Sequence, residues 1–181
     1  MYRLKSDSDS EGGNIIGNLR QSKGAAVVFL VIRLYLGYTF LAAGFSKLTS
    51  GNFDASGFVQ GTLARQDGGF IQRSWGNFLE SVVLPNAEVF SFLVMWGETL
   101  VGLALLLGAF TGFAVLMGIL MNLSFLLSGA FTQNLIMIIL AVLLLIGGAN
   151  AGRFGLDYWI MPSLRSKGQN RTTKNRKRQY V

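Results

Sequence analysis

An apolar run from Gly24 to Ser46 with one formal charge, Arg33, near its middle constrains this chain more than any other feature. About 20 residues, each rising ~1.5 Å, cross a bilayer as a helix, and this run is long enough. An arginine deep in such a helix costs about 2.5–3.5 kcal/mol on insertion scales, and it does not shed its proton. Something in the fold must balance it. Three further runs have the same character: Ala87–Leu107, Gly112–Ser128 and Asn134–Asn150. Only "GAFT" (108–111) separates the second run from the third, and "GAFTQ" (129–133) the third from the fourth. Connections this short make the neighbouring spans antiparallel hairpins. Hydrophobic residues form 51% of the 181-residue chain and charged residues 14%, too little polar surface for a water-soluble domain. The expected architecture is an all-α integral membrane protein, a four-helix transmembrane bundle. With neither Cys nor His in the chain, disulfides, thiol nucleophiles, haem axial histidines and the usual zinc sites are excluded within it, and no metal or haem is indicated.

An even number of spans puts both ends on one side. Twelve of the sixteen basic residues lie before the first span or after the last, and the first loop carries only Lys47, Arg65 and Arg73. The positive-inside rule then places both termini in the cytoplasm of a multi-pass cell-membrane protein. Residues 1–23 form an expected disordered cytoplasmic tail, 24–162 the four-span membrane domain, and 163–181 a basic cytoplasmic tail. That tail, "RSKGQNRTTKNRKRQ", suits a topology determinant facing the lipid bilayer. No nucleic acid is expected as a partner, because no folded reading element accompanies the charge. The first apolar run is too long, and too interrupted by Arg33, for a cleaved signal peptide.

The first external loop, Leu48–Asn86, is the one large extramembrane piece. In "RSWGNFLESVVLP", Trp75, Phe78, Leu79, Val82 and Val83 share a helical face, and Pro85 is expected to stop the helix. A short amphipathic interfacial helix is the reading. "DASGFVQGTLARQ" suggests a shorter companion. The loop is either a cap on the bundle or a lid over a cavity.

Counting from the cytoplasmic ends taken at Gly24 and Leu107, Arg33 and Glu98 both lie about 13.5 Å deep, and Asn122, counted from Gly112, about 15 Å. A base, an acid and an amide on three spans thus share a level, and the expectation is that Arg33 and Glu98 balance one another. Each has a glycine one turn away on its own face: Gly37, Gly102 and Gly118. Glycines there either let helices approach closely or leave room for a ligand. Tyr35, Tyr38 and Thr39 add hydroxyls toward the outer half of the first span. Such a cluster has two readings: a buried pair that fixes helix register, or a substrate or proton site. After the fourth span, in "GRFGLDYWIMP", Gly152 is placed to end the helix, Tyr158 and Trp159 suit the headgroup region, and Arg153 stands four residues before Asp157, in pairing reach.

"RLYLGYTFLAAGFSKL", "GETLVGLALLLGAFTGFAVLMGILMN" and "GRFGLDYW" together resemble the DoxX family of small four-helix membrane proteins, from Gly24 to about Pro162. The likeness is strongest to its DoxD branch, the membrane subunit of thiosulfate:quinone oxidoreductase. The residues that carry it are Arg33, Gly37, Gly44 and Lys47 in the first span, Glu98 and Gly102 in the second, and Gly155, Leu156 and Asp157 near the end. The resemblance implies a bacterial or archaeal membrane subunit linked to thiosulfate and quinone chemistry, with quinone as a diffusible acceptor and a partner redox subunit. On that reading Arg33 and Glu98 are the catalytic pair: Arg33 neutralises an anionic substrate or reduced quinone, and Glu98 carries protons. Asn122 and Tyr38 hydrogen-bond quinone carbonyls, in space left by Gly37, Gly102 and Gly118. "GGNIIGN" near the start is no dinucleotide fingerprint, as it follows no strand. The alternative is a non-enzymatic membrane scaffold or small-molecule binder with a structural Arg–Glu pair.

Overall fold

The computed structural model describes residues 17–51, 53–65 and 69–159. The amino-terminal and basic carboxy-terminal tails fall largely outside them. Of the described residues 86% are helical, and none is in a strand. The four expected spans are α1 (Lys23–Ser50), α4 (Ala87–Leu107), α5 (Thr111–Leu127) and α6 (Thr132–Gly147). The first loop contributes α2 (Ala55–Leu63) and α3 (Phe70–Phe78). Among the described residues three helices are long and apolar enough to cross a membrane; α5 is shorter and also apolar.

Helix α1 has 28 residues, about 42 Å at the helical rise and well beyond a hydrocarbon core of ~30 Å. Ser22 caps its start by accepting from the Ala25 N–H, and Gly51, at φ 64°, ends it. One stripe of α1 is buried: Ala26, Phe29, Arg33, Leu36, Gly37, Phe40 and Gly44. Leu36 and Phe40 pack with Val101 and Leu105 of α4, Val115 of α5, and Met137 and Leu144 of α6 in one core. The outward faces are just as apolar, with Val31, Phe92, Leu120 and Ile139 all more than half exposed. Lipid is the solvent that suits such a surface.

Helices α1 and α4 meet backbone to backbone. A Cβ at Gly102 would fall on the Leu41 main chain, and one at Gly37 would lie 3.1 Å from the Gly102 carbonyl oxygen. One at Gly118 would stand 3.0 Å from the Phe40 ring. These glycines admit neighbouring helices and leave no ligand space, which corrects the expectation of a cavity beside them.

Pro85 does not stop the loop helix. The helical path runs from Ile71 to Leu107, through a wide π turn at Leu79–Val83 and a 3-10 turn at Leu84–Asn86. Proline lacks an N–H, and the wide turn absorbs the mismatch. The Asn86 side-chain amide donates to the Val82 carbonyl at 2.9 Å, satisfying one freed acceptor. Leu79 and Val83 turn inward and pack with Val59 of α2 and with Trp75. Phe78 and Val82, expected on the same face, remain exposed. The Trp75 indole N–H donates to the Ser128 hydroxyl at 3.0 Å, fastening the loop to the end of α5.

At the opposite end, the last helix stops earlier than expected. Gly148 (φ 54°) follows α6, and Gly152 lies instead against the Asp157 carboxyl group.

Candidate functional site

The structure divides the expected three-residue cluster between the two ends of the bundle. Arg33 is fully buried, but it lies opposite Gly108 rather than Glu98. Its Nη2 donates to the Phe154 carbonyl at 2.8 Å and its Nη1 to the Ala151 carbonyl at 3.4 Å. Asp157 is the carboxylate that attracts it. The Arg33–Glu98 pair does not form. Gly24 is not level with Leu107: α1 overhangs the tight α4–α5 turn, and Arg33 faces that turn.

Asp157 has a structural task in this tail-end centre. Its carboxylate oxygens accept the N–H groups of Phe110 (2.7 Å) and Thr111 (2.8 Å), capping α5 from a distant part of the chain. Phe110 sits at φ 49°, a left-handed conformation held by that contact. Asp157 N–H in turn donates to the Gly108 carbonyl at 2.8 Å. Gly108 itself is at φ 64°, and a Cβ there would run into the Arg33 guanidinium. The expected Arg153–Asp157 pairing is therefore absent: Arg153 reaches the Gln21 carbonyl at 3.4 Å instead. Tyr158 and Trp159 project outward, 61% and 74% exposed.

Glu98 belongs to the loop end. Its partner is Lys47, whose Nζ donates to Oε2 at 2.5 Å, with the Glu98 side chain almost fully buried. Lys47 extends the buried stripe of α1 by one further step. Its ammonium also lies 5.3 Å from the Phe53 ring centroid and 5.8 Å from that of Phe125, within cation–π range. Beside the pair is a cavity of about 280 Å³. Lys47, Glu98 and Asn122 supply its charged and amide groups, joined by Thr39, Gln133 and Asn134. Phe40, Phe53, Phe58 and Phe125 form aromatic walls. Asn122 is buried, and its Nδ2 donates to the Gly118 carbonyl at 3.0 Å. Phe53 and Phe58 come from the first loop, so that loop covers a cavity as well as capping the bundle.

Of the three residues expected at one level, the structure thus brings Glu98 and Asn122 together and exchanges Arg33 for Lys47. Tyr38 is 69% exposed on the outside of α1 and does not join. The signal for Lys47 was present in the sequence: residues 33, 37, 40, 44 and 47 recur at helical spacing, which carries the buried stripe up to the lysine.

An all-helical bundle that buries a cation–carboxylate pair beside a small aromatic cavity is the class of membrane protein these features define. Residues 28–175 match the family described as "TQO small subunit DoxD". The chain belongs to the DoxD family. No curated protein and no solved structure matches it.

Proposed function

We propose that this chain is the membrane subunit of a quinone-linked oxidoreductase acting on thiosulfate or a related sulfur compound, alongside a partner redox subunit. Family membership supports the class, and the Lys47–Glu98–Asn122 cavity is the observation that carries the site. Its volume lies just below the ~300–1,000 Å³ usual for ligand pockets, which suits a quinone ring but not its tail. Flat aromatic walls, an ammonium and an amide fit the two faces and two carbonyls of such a ring. The quinone supplies the two-electron chemistry when bound.

Lys47 takes the role first expected of Arg33, countering negative charge that develops on the ligand. Asn122 orients a carbonyl through its side-chain amide. Glu98 holds Lys47 in place and, among the described residues that line the cavity, is the one carboxylate able to carry a proton. Arg33, Gly37, Gly102 and Gly118 act by holding the helices. Both tails face the cytoplasm on this reading, in line with their basic residues, which puts the cavity toward the outer side.

Purified protein, alone and with its partner subunit, should be assayed for quinone reduction by thiosulfate and by sulfide. Lys47→Met and Glu98→Gln are expected to lower the rate at least tenfold while the protein stays folded. Unchanged rates in both variants would leave the scaffold reading in possession of the cavity. Because the native chain has no Cys, accessibility of Gln60→Cys reports orientation cleanly, and labelling from the cytoplasmic side alone would reverse the topology.

A further inference from the structure

Among the described residues that line it, the cavity carries two opposite charges, Lys47 and Glu98. Facing Glu98 are Lys47 from α1, the neutral Asn122 from α5, the neutral Gln133 and Asn134 from α6, and the rings of Phe53 and Phe58 from the loop. Asp54, beside Phe53, is exposed and turned to Ser56. The site is therefore electrically neutral as it stands. Its one cation is already engaged at 2.5 Å by a nearly fully buried carboxylate. An anion entering beside Lys47 would leave a net negative charge among four phenyl rings, where an uncompensated charge is costly. A proton on Glu98 removes that cost in one step, restoring neutrality and releasing the ammonium to the ligand.

We propose that the cavity binds a flat aromatic monoanion, such as an aryl carboxylate or a phenolate, together with one proton taken up on Glu98. The ring lies among Phe53, Phe58 and Phe125, its charged edge at Lys47. Asn122 offers an amide at the cavity wall. Thus Glu98 acts as an exchangeable internal counter-ion: either it or the ligand neutralises Lys47, never both. This rests on the preceding assignment of the cavity as the ligand site, and it specifies what that site takes and when.

Sodium benzoate is the probe. Titration calorimetry on the purified protein in detergent, repeated in two buffers of different ionisation enthalpy, should show about one proton taken up per benzoate bound. Affinity should rise about tenfold for each pH unit lowered. Glu98→Gln should bind benzoate with no pH dependence and no proton uptake, and Lys47→Met should lose binding. The measurement on the unaltered protein stands even where a variant fails to fold. Benzoate binding without proton uptake, or no binding at any pH, would overturn the proposal, as would thiosulfate binding in place of benzoate. A protein that shows the proton linkage but never reduces quinone would uphold this inference while sinking the oxidoreductase reading. Quinone reduction without linkage would do the reverse.

Discussion

The two polar centres of this bundle are built from the same kinds of residue and differ in what surrounds them. At the tail end, Arg33 and Asp157 are enclosed by main chain: carbonyls of Ala151 and Phe154 for the arginine, N–H groups of Phe110 and Thr111 for the aspartate. Gly108 and Gly155 close in to where any side chain would collide with the guanidinium. At the loop end, Lys47 and Glu98 meet each other and border open volume. The centres are about 21 Å apart along α1. A buried charge inside a membrane is commonly taken as functional. Here one charge of each kind exists, and the test is whether its partners are backbone or space. Backbone partners tie segments together and leave nothing for a ligand. A side-chain partner beside a cavity is replaceable.

The largest expected effect separates the centres directly. Arg33→Leu should destabilise the protein in detergent by about 3–5 kcal/mol, because the buried Ala151 and Phe154 carbonyls lose their charged donor and Asp157 loses a nearby cation. Lys47→Met should cost only about 1–3 kcal/mol, because Glu98, left without its cation, can take up a proton at the cavity and remain as one neutral group lacking a partner. Arg33→Leu and Glu98→Leu should be additive within about 0.5 kcal/mol, as for residues in separate networks. Equal losses for Arg33→Leu and Lys47→Met in reversible unfolding would erase the distinction, and strong coupling between Arg33 and Glu98 would restore the abandoned pair.

Gly102→Leu comes next. The side chain would enter the Leu41 main chain, so the α1–α4 seam must open. Overpacking of this kind typically costs about 1–3 kcal/mol, with the rigid backbone contact favouring the upper end. Benzoate binding per folded molecule should be retained, since Gly102 does not line the cavity. Lost binding in a protein of unchanged melting temperature would return the glycines to the ligand site.

How far the sequence discloses this architecture follows from the same contrast. The four spans, the two tight turns and both loop helices are legible because apolar periodicity and turn length are local properties. Depth is not local. It depends on how one helix slides past another, and Arg33 and Glu98 looked level only under the assumption that α1 and α4 start flush. Helix α1 is long enough to overhang the turn at Gly108. The stripe through residues 33, 37, 40, 44 and 47 offers two cations to any acid on α4, fourteen residues apart, and only packing chooses between them. Likewise, Asp157 reads as an i,i+4 partner for Arg153 as long as the chain there is helical. It ceases to be one when the residues after Asn150 fold back onto α4 and α5. The cavity was invisible for a related reason: its aromatic walls come from α1, α5 and the loop, and no spacing rule links Phe40, Phe53, Phe58 and Phe125.

Asp157→Asn is a milder challenge to the tail-end centre. The amide retains one acceptor oxygen for the α5 amides and loses the charge near the helix start. Caps of this kind contribute about 0.5–2 kcal/mol, and the helix-dipole part alone about 0.3–1 kcal/mol. A loss of about 1 kcal/mol is expected, with benzoate affinity and its pH dependence unaltered. A change in the pH dependence of benzoate binding would show the two centres to be coupled despite their separation.

The smallest effect concerns the cover of the loop-end cavity. Asp54 caps α2 by accepting the Ser56 N–H at 2.9 Å and the Ser56 hydroxyl, and these contacts, the hydroxyl foremost, hold its carboxyl below the usual carboxylate range. The sign follows from the shift. A carboxyl group with a depressed folded pKa stabilises α2 fully at pH values above its unfolded pKa of about 3.9, and that support fades as pH falls below it. Because Asp54 is exposed, α2 alone should respond and the bundle should not. After correction for intrinsic exchange rates, amide protection across residues 57–60 should fall on acidification through that window in the native protein. In Asp54→Asn it should be lower at neutral pH and flat across the same range. Matching protection in the two proteins at neutral pH would mean that the packing of Val59 against Leu79 and Val83, rather than the cap, fixes the start of the cover.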